Sequence, residues 1–150
     1  MLNIDNLKTK ILKLKEDSNV ILFPTTNTAK INFINAMLSN SNFPKIPEDY
    51  KKFLQISNGI IFNLYKLYGT NNIKRENYIY PNIYDINQTF VHKNTILPNN
   101  LIIGSVTNYL ITYNSLNQNY EIKDYIIFET IFKFNTFENL FNHIEQATDY

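Results

Sequence analysis

The chain has 150 residues, no cysteine and a formal net charge of +1. That length suits one ordinary domain, 1–150, with a real core. The near-neutral charge argues against a dedicated polyanion binder, the missing thiols exclude disulfides and thiolate metal sites, and no apolar run reaches the roughly 18 residues of a membrane span.

The lack of cysteine fits a reducing compartment. The opening Met-Leu-Asn-Ile-Asp lacks the basic-then-apolar pattern of a secretory leader. A cytoplasmic protein is therefore expected. Asn, Ile, Lys, Tyr and Phe are heavily used, as AT-rich coding would favour. The asparagines are interleaved with periodic apolar positions, which argues against an Asn-rich prion-like tract.

Ile4, Leu7, Ile11 and Leu14 are spaced three and four apart and predict an amphipathic helix over about 3–16. Lys8, Lys10, Lys13 and Lys15 decorate it as a solvated face whose stems cover apolar surface. Val20–Phe23 is a short apolar run ended by Pro24, and Thr25–Thr28 offers N-cap candidates. Ile31, Ile34 and Leu38 predict a second helix ending near Ser39.

The stretch from Phe43 to Gly69 carries the most information. Pro47 suits a first helical position, and Glu48 and Asp49 place negative charge against the positive end of the helix dipole. Tyr50, Phe53, Leu54 and Ser57 share one helical face. Asn58-Gly59 then stops the helix, with Gly59 read as a left-handed C-cap. From Ile60 to Tyr68 both alternating faces are largely apolar, which predicts one interior strand.

Residues 70–100 have no clear periodicity beyond a short helix at Asp85–His92. From Leu101 the pattern turns to β. Tyr109–Tyr113 and Tyr120–Ile122 flank a polar turn and predict a hairpin, and Tyr125–Phe134 reads as a further apolar strand. Phe137, Leu140, Phe141 and Ile144 predict a closing helix, with Asn135 and Glu138 spaced as a capping box. The order predicts an α+β fold: N-terminal helices packed against a mostly antiparallel sheet, with a C-terminal closing helix.

Ile46, Pro47, Asp49, Tyr50, Phe53, Leu54, Asn58 and Gly59 resemble the "Leu-Pro-x-Asp-Tyr-x-x-Phe-Leu-x-x-x-Asn-Gly" signature of the SMI1/KNR4 (SUKH) superfamily. Phe62, Asn63, Tyr65, Leu67, Tyr68 and Gly69 are similar to the added motif of its YrhA-like branch. Phe134, Thr136, Phe137, Glu138 and Leu140 are similar to its closing-helix motif. The resemblance covers roughly 20–147 and is weakest over 70–100. It implies the same fold, with the motif residues acting structurally. It also implies a protein-binding role, as in bacterial immunity proteins that neutralise a toxin domain encoded nearby. A regulatory or scaffold protein binding a cellular client is the alternative. An acidic face is expected where such a toxin is a nuclease, and this chain has no acidic excess.

No catalytic or metal set is legible. His92 and His143 are far apart, and no Gly-x-Ser-x-Gly elbow or Gly-rich phosphate loop exists among three glycines. No cofactor is expected. Asp124 and Glu129 are a carboxylate pair better read as turn and strand residues. Only convergence of Asp85, His92, Asp124 and Glu129 in one cleft would indicate an enzyme. Tyr65, Tyr68, Tyr78, Tyr80 and Tyr84 bracket the unreadable segment and are the candidate partner-binding residues, since tyrosine supplies interface area at low entropy cost. Base stacking would require a basic surround that is missing. Ordinary sheet packing is the plainer account of the same tyrosines.

Overall fold

The computed structural model describes residues 4–17, 19–92 and 99–146, with only the backbone at Val91 and His92. Among these, five helices are numbered in chain order: α1 (Ile4–Leu14), α2 (Thr28–Asn40), α3 (Glu48–Leu54), α4 (Ile83–His92) and α5 (Phe137–Gln146). The main sheet contains β1 (Val20–Leu22), β2 (Ile60–Phe62), β3 (Tyr65–Leu67), β6 (Asn100–Val106), β7 (Tyr109–Asn114), β8 (Asn119–Asp124) and β9 (Thr130–Phe134), in that spatial order. Every neighbouring pair is antiparallel. A separate hairpin is formed by β4 (Ile73–Arg75) and β5 (Tyr78–Tyr80). The fold is α+β with a closing C-terminal helix. No described helix is long and apolar enough to cross a membrane.

The predicted apolar faces are the ones that pack. Tyr50, Phe53 and Leu54 of α3 are buried, as are Phe137, Leu140, Phe141 and Ile144 of α5. The rings of Tyr50, Phe53, Phe137 and Phe141 lie 5.1 to 6.2 Å apart, centre to centre. Such pairs contribute about 0.5–1.5 kcal/mol each beyond area burial. Leu7 and Ile11 of α1 join this core, and Lys10 reaches α5, donating to Asn142 and lying 3.7 Å from Glu145. Asn27 caps α2 by accepting the Lys30 N–H at 2.8 Å.

Several local expectations need correction. Pro47 is the N-cap of α3, one position before the first helical residue. Gly59 is not the C-cap: α3 ends at Leu54, capped by Gln55. Gly59 instead turns the chain into β2 with φ +105°, where an added Cβ would meet the Leu67 carbonyl oxygen at 2.7 Å. The single strand predicted over 60–68 is a hairpin. Asn63 takes φ +55° between Phe62 and Tyr65, and asparagine tolerates that region without glycine's signal. Both strands are nevertheless interior to the sheet, as expected.

The segment 70–92 is structured as the β4–β5 hairpin and then α4, which starts two residues before Asp85. The strand expected over 125–134 begins only at Thr130. Tyr125–Ile127 form a turn because the Asp124 carboxylate accepts the N–H groups of Ile126 (2.8 Å) and Ile127 (3.0 Å). The cap of α5 is Thr136, whose hydroxyl accepts the Asn139 N–H at 3.1 Å, displacing the expected Asn135–Glu138 box by one residue.

Candidate partner-binding surface

The motif residues work as a frame. Asn58 is buried beside Thr70: its carbonyl oxygen accepts the Thr70 N–H at 2.8 Å and its amide donates to the Thr70 hydroxyl at 3.0 Å. Gly69 is required where these segments meet, because a Cβ there would lie 2.3 Å from the Asn58 carbonyl oxygen. The Tyr50 hydroxyl donates to the Tyr68 carbonyl at 2.5 Å, tying α3 to the end of β3. Burial pushes the Tyr50 hydroxyl well above its ordinary pKa, with Tyr68 adding to the shift. Asp49 links three elements. One carboxylate oxygen accepts from the Tyr120 hydroxyl of β8 and from the Tyr50 N–H (3.0 Å), and the other accepts the Phe137 N–H that opens α5 (3.0 Å).

The five candidate tyrosines do not form one surface. Tyr65 and Tyr68 are buried in the core, so the expectation that they meet a partner is corrected. Tyr65 opens β3 and Tyr68 directly follows it, and the Tyr68 hydroxyl is hydrogen-bonded to that of Ser105 at 3.0 Å. Tyr84 is half-buried and accepts from the Gln88 amide at 2.7 Å. Tyr80 is partly covered, with the Lys66 ammonium 5.3 Å from its ring centre. Tyr78 alone is open, 67% exposed beside the equally exposed Ile79.

The larger apolar surface lies at the other hairpin. Tyr125, Ile126, Ile127, Ile131 and Phe132 are all exposed, Ile126 at 77% and Ile127 at 65%. Ile131 and Phe132 line an apolar hollow of about 60 Å³ with Val106, Tyr109 and Ile122. The Tyr125 N–H donates to the Asn108 carbonyl at 2.9 Å, so this turn abuts the β6–β7 turn next to the hollow. These exposed apolar residues lie toward the same end of the sheet. Exposed apolar surface gathered in this way marks interaction sites. The apolar pattern over 125–134 predicts an ordinary strand. The signal available was Asp124 ahead of the isoleucines, an Asx-turn residue placed to expose them.

The strand behind the patch is protected against open-ended pairing. β9 is a sheet edge, but its register with β8 shifts between Ile122 and Lys123 and it presents the exposed Lys133. A bulge and an exposed lysine are the usual devices that keep an edge strand from recruiting another.

Two of the residues considered for catalysis, Asp124 and Asp85, are held in local hydrogen bonds. The Asp124 carboxylate holds its turn, and the two N–H donors keep its pKa below the ordinary value. Asp85 accepts from Asn72 at 2.9 Å on α4, and the His92 side chain lies outside the described residues. Among the described residues no group of three or more His, Cys, Asp or Glu is placed to hold a metal. A polar set that the sequence did not suggest is Glu121, Lys123 and Thr130. Lys123 donates to the Thr130 hydroxyl at 2.8 Å, and that hydroxyl donates to Glu121 at 3.2 Å. Glu121 and Lys123 are buried, so this network serves the packing of β8 and β9.

A scan of family models finds no match to this chain, and comparison with curated proteins finds none.

Proposed function

We propose that this protein is a binding module of the SMI1/KNR4 type, acting without turnover as an immunity protein that covers a toxin domain encoded nearby. The observation that carries the binding reading is the apolar patch Tyr125–Ile127 with Ile131 and Phe132. A hydrogen-bonded hairpin turn holds it in water, where exposed apolar surface is costly and a partner would cover it. An interface of roughly 800 Å² per side anchored by a few such residues is enough for a stable complex. The SMI1/KNR4-type reading is supported by the motif from Ile46 to Gly69, whose Asp49, Tyr50, Asn58 and Gly69 each make a defined structural contact, and the immunity role is what that resemblance implies.

Co-expression with the product of the adjacent open reading frame tests this reading. The expected result is a stoichiometric complex that survives purification, together with growth of cells that the partner alone would kill. A neighbouring gene without a toxin-like domain, or a toxin that kills regardless of this protein, contradicts the immunity role.

A further inference from the structure

Seven described residues other than glycine have positive φ. Five are Asn, Gln or Glu. The other two are the β-branched Thr107 (+43°) and the aromatic Phe128 (+58°), the kinds of side chain that the left-handed region penalises most. Both stand at the same end of the sheet, in the β6–β7 and β8–β9 turns, which the Tyr125 N–H joins by donating to the Asn108 carbonyl at 2.9 Å. Such strain persists only where the surroundings over-determine it, and it clusters at sites that hold a ligand.

Phe128 ends the exposed tip. Its N–H donates to the Asp124 carbonyl at 3.0 Å, and the Asp124 N–H donates to the Glu129 carbonyl at 2.9 Å, so the left-handed residue is the one that returns the chain towards β9. Glycine would take that conformation without steric cost. What phenylalanine adds is its ring, half-buried against the hydrophobic core. On the other side of the tip the Tyr125 ring meets that of Phe90 edge-on at 5.8 Å. Ile126 and Ile127, 77% and 65% exposed, are therefore held between two anchored rings.

We propose that Phe128 is a positioning residue: its backbone accepts a strained conformation so that its ring pins the tip, which sets Ile126 and Ile127 outward before a partner arrives. The proposal rests on the binding-module reading and deepens it by naming the residue that prepares the surface. A tip already held in its binding conformation gives up less freedom on association. An unpinned tip lowers affinity in proportion to the fraction of molecules that have it correctly placed.

The test is NMR relaxation of the isotope-labelled full chain, comparing the wild type with F128G, F128A and F128L. The order parameters of the Ile126 and Ile127 amides are expected near the rigid value of about 0.85 in the wild type and below about 0.6 in F128G and F128A. F128L, which keeps an apolar anchor, should stay near the wild type. Leu110 and Ile111 of the interior strand β7 should stay rigid in all four chains, because a loss of global stability alone does not loosen the native state. A wild-type tip already below about 0.6 overturns the proposal. So does a tip that stays rigid in F128G and F128A, because the turn's backbone would then place the isoleucines without the ring. The toxin domain proposed as partner should bind F128G about tenfold more weakly than the wild type, and undiminished affinity with a loosened tip also overturns the positioning role. The relaxation measurement uses no partner, so this proposal and the binding reading fail separately.

Discussion

Asp49 and Tyr120 are 71 residues apart in sequence and share a hydrogen bond from the tyrosine hydroxyl to the carboxylate. The same carboxylate accepts the first N–H of α5, so one side chain joins the start of α3, strand β8 and the start of the closing helix. Burial first, and then Asp49, pushes the Tyr120 hydroxyl far above its ordinary pKa. The phenol stays a donor at every working pH. Asp49→Ala should destabilise the fold by about 2–4 kcal/mol, since it leaves a buried hydroxyl and a helix N-terminus without acceptors. Tyr120→Phe should cost less, about 1–2 kcal/mol. Urea denaturation of both single variants and the double variant should show a coupling of about 1 kcal/mol or more. Strict additivity would contradict the contact.

The turns yield a stabilising change. Asn63, Glu76 and Thr107 each open a two-residue hairpin loop with positive φ: +55°, +53° and +43°. A II′ loop wants glycine at that position. Thr107 is the least suited, because it is β-branched. Thr107→Gly should raise stability by about 0.5–1 kcal/mol, the relief of the left-handed strain less the added chain entropy. A loss of stability in thermal or urea unfolding would contradict the turn geometry.

These turns also explain where sequence reading stopped. The helices α3 and α5 were legible because their apolar residues recur at three and four and their faces are buried as spaced. The β7–β8 hairpin was legible from alternation on both sides of a polar turn. The chain has three glycines, so its tight turns use Asn, Glu and Thr, which carry little turn signal. The β2–β3 turn was therefore absorbed into one strand, and the β4–β5 hairpin could not be seen. The burial of Tyr65 and Tyr68 was hidden for a related reason. Tyrosine is amphipathic, so Tyr65 and Tyr68 read equally well as core or interface, and position in the sheet decides. Ile126 and Ile127 have strong strand propensity, and they are turned outward by their hydrogen bonds to the Asp124 carboxylate together with the backbone bonds that close the turn, Phe128 N–H to the Asp124 carbonyl and Asp124 N–H to the Glu129 carbonyl.

Stability should depend on pH through His143. Its ring lies 4.9 Å from that of Phe132 and 5.1 Å from that of Phe134. Burial there lowers its pKa from the ordinary value near 6.5. The unfolded chain then binds the proton more readily than the folded one. This contribution is fully present above the unfolded pKa and is lost as pH falls towards the folded value. The urea midpoint should therefore drop between pH 7.5 and 5.5, and the drop should shrink in His143→Gln. A slope in this window that the variant leaves unchanged would assign it to another group. The depressed carboxyl of Asp124 acts in the same direction but at lower pH.

The most direct test of the central claim is calorimetric titration of the toxin domain proposed as partner with the wild-type chain and with I126D/I127D. Both isoleucines are exposed, so the variant should unfold within about 0.5 kcal/mol of wild type. A binding surface at the β8–β9 turn predicts a loss of at least about 3 kcal/mol of affinity, as expected for removing anchors from the centre of an interface. A partner that binds the folded variant as tightly as the wild type would contradict it.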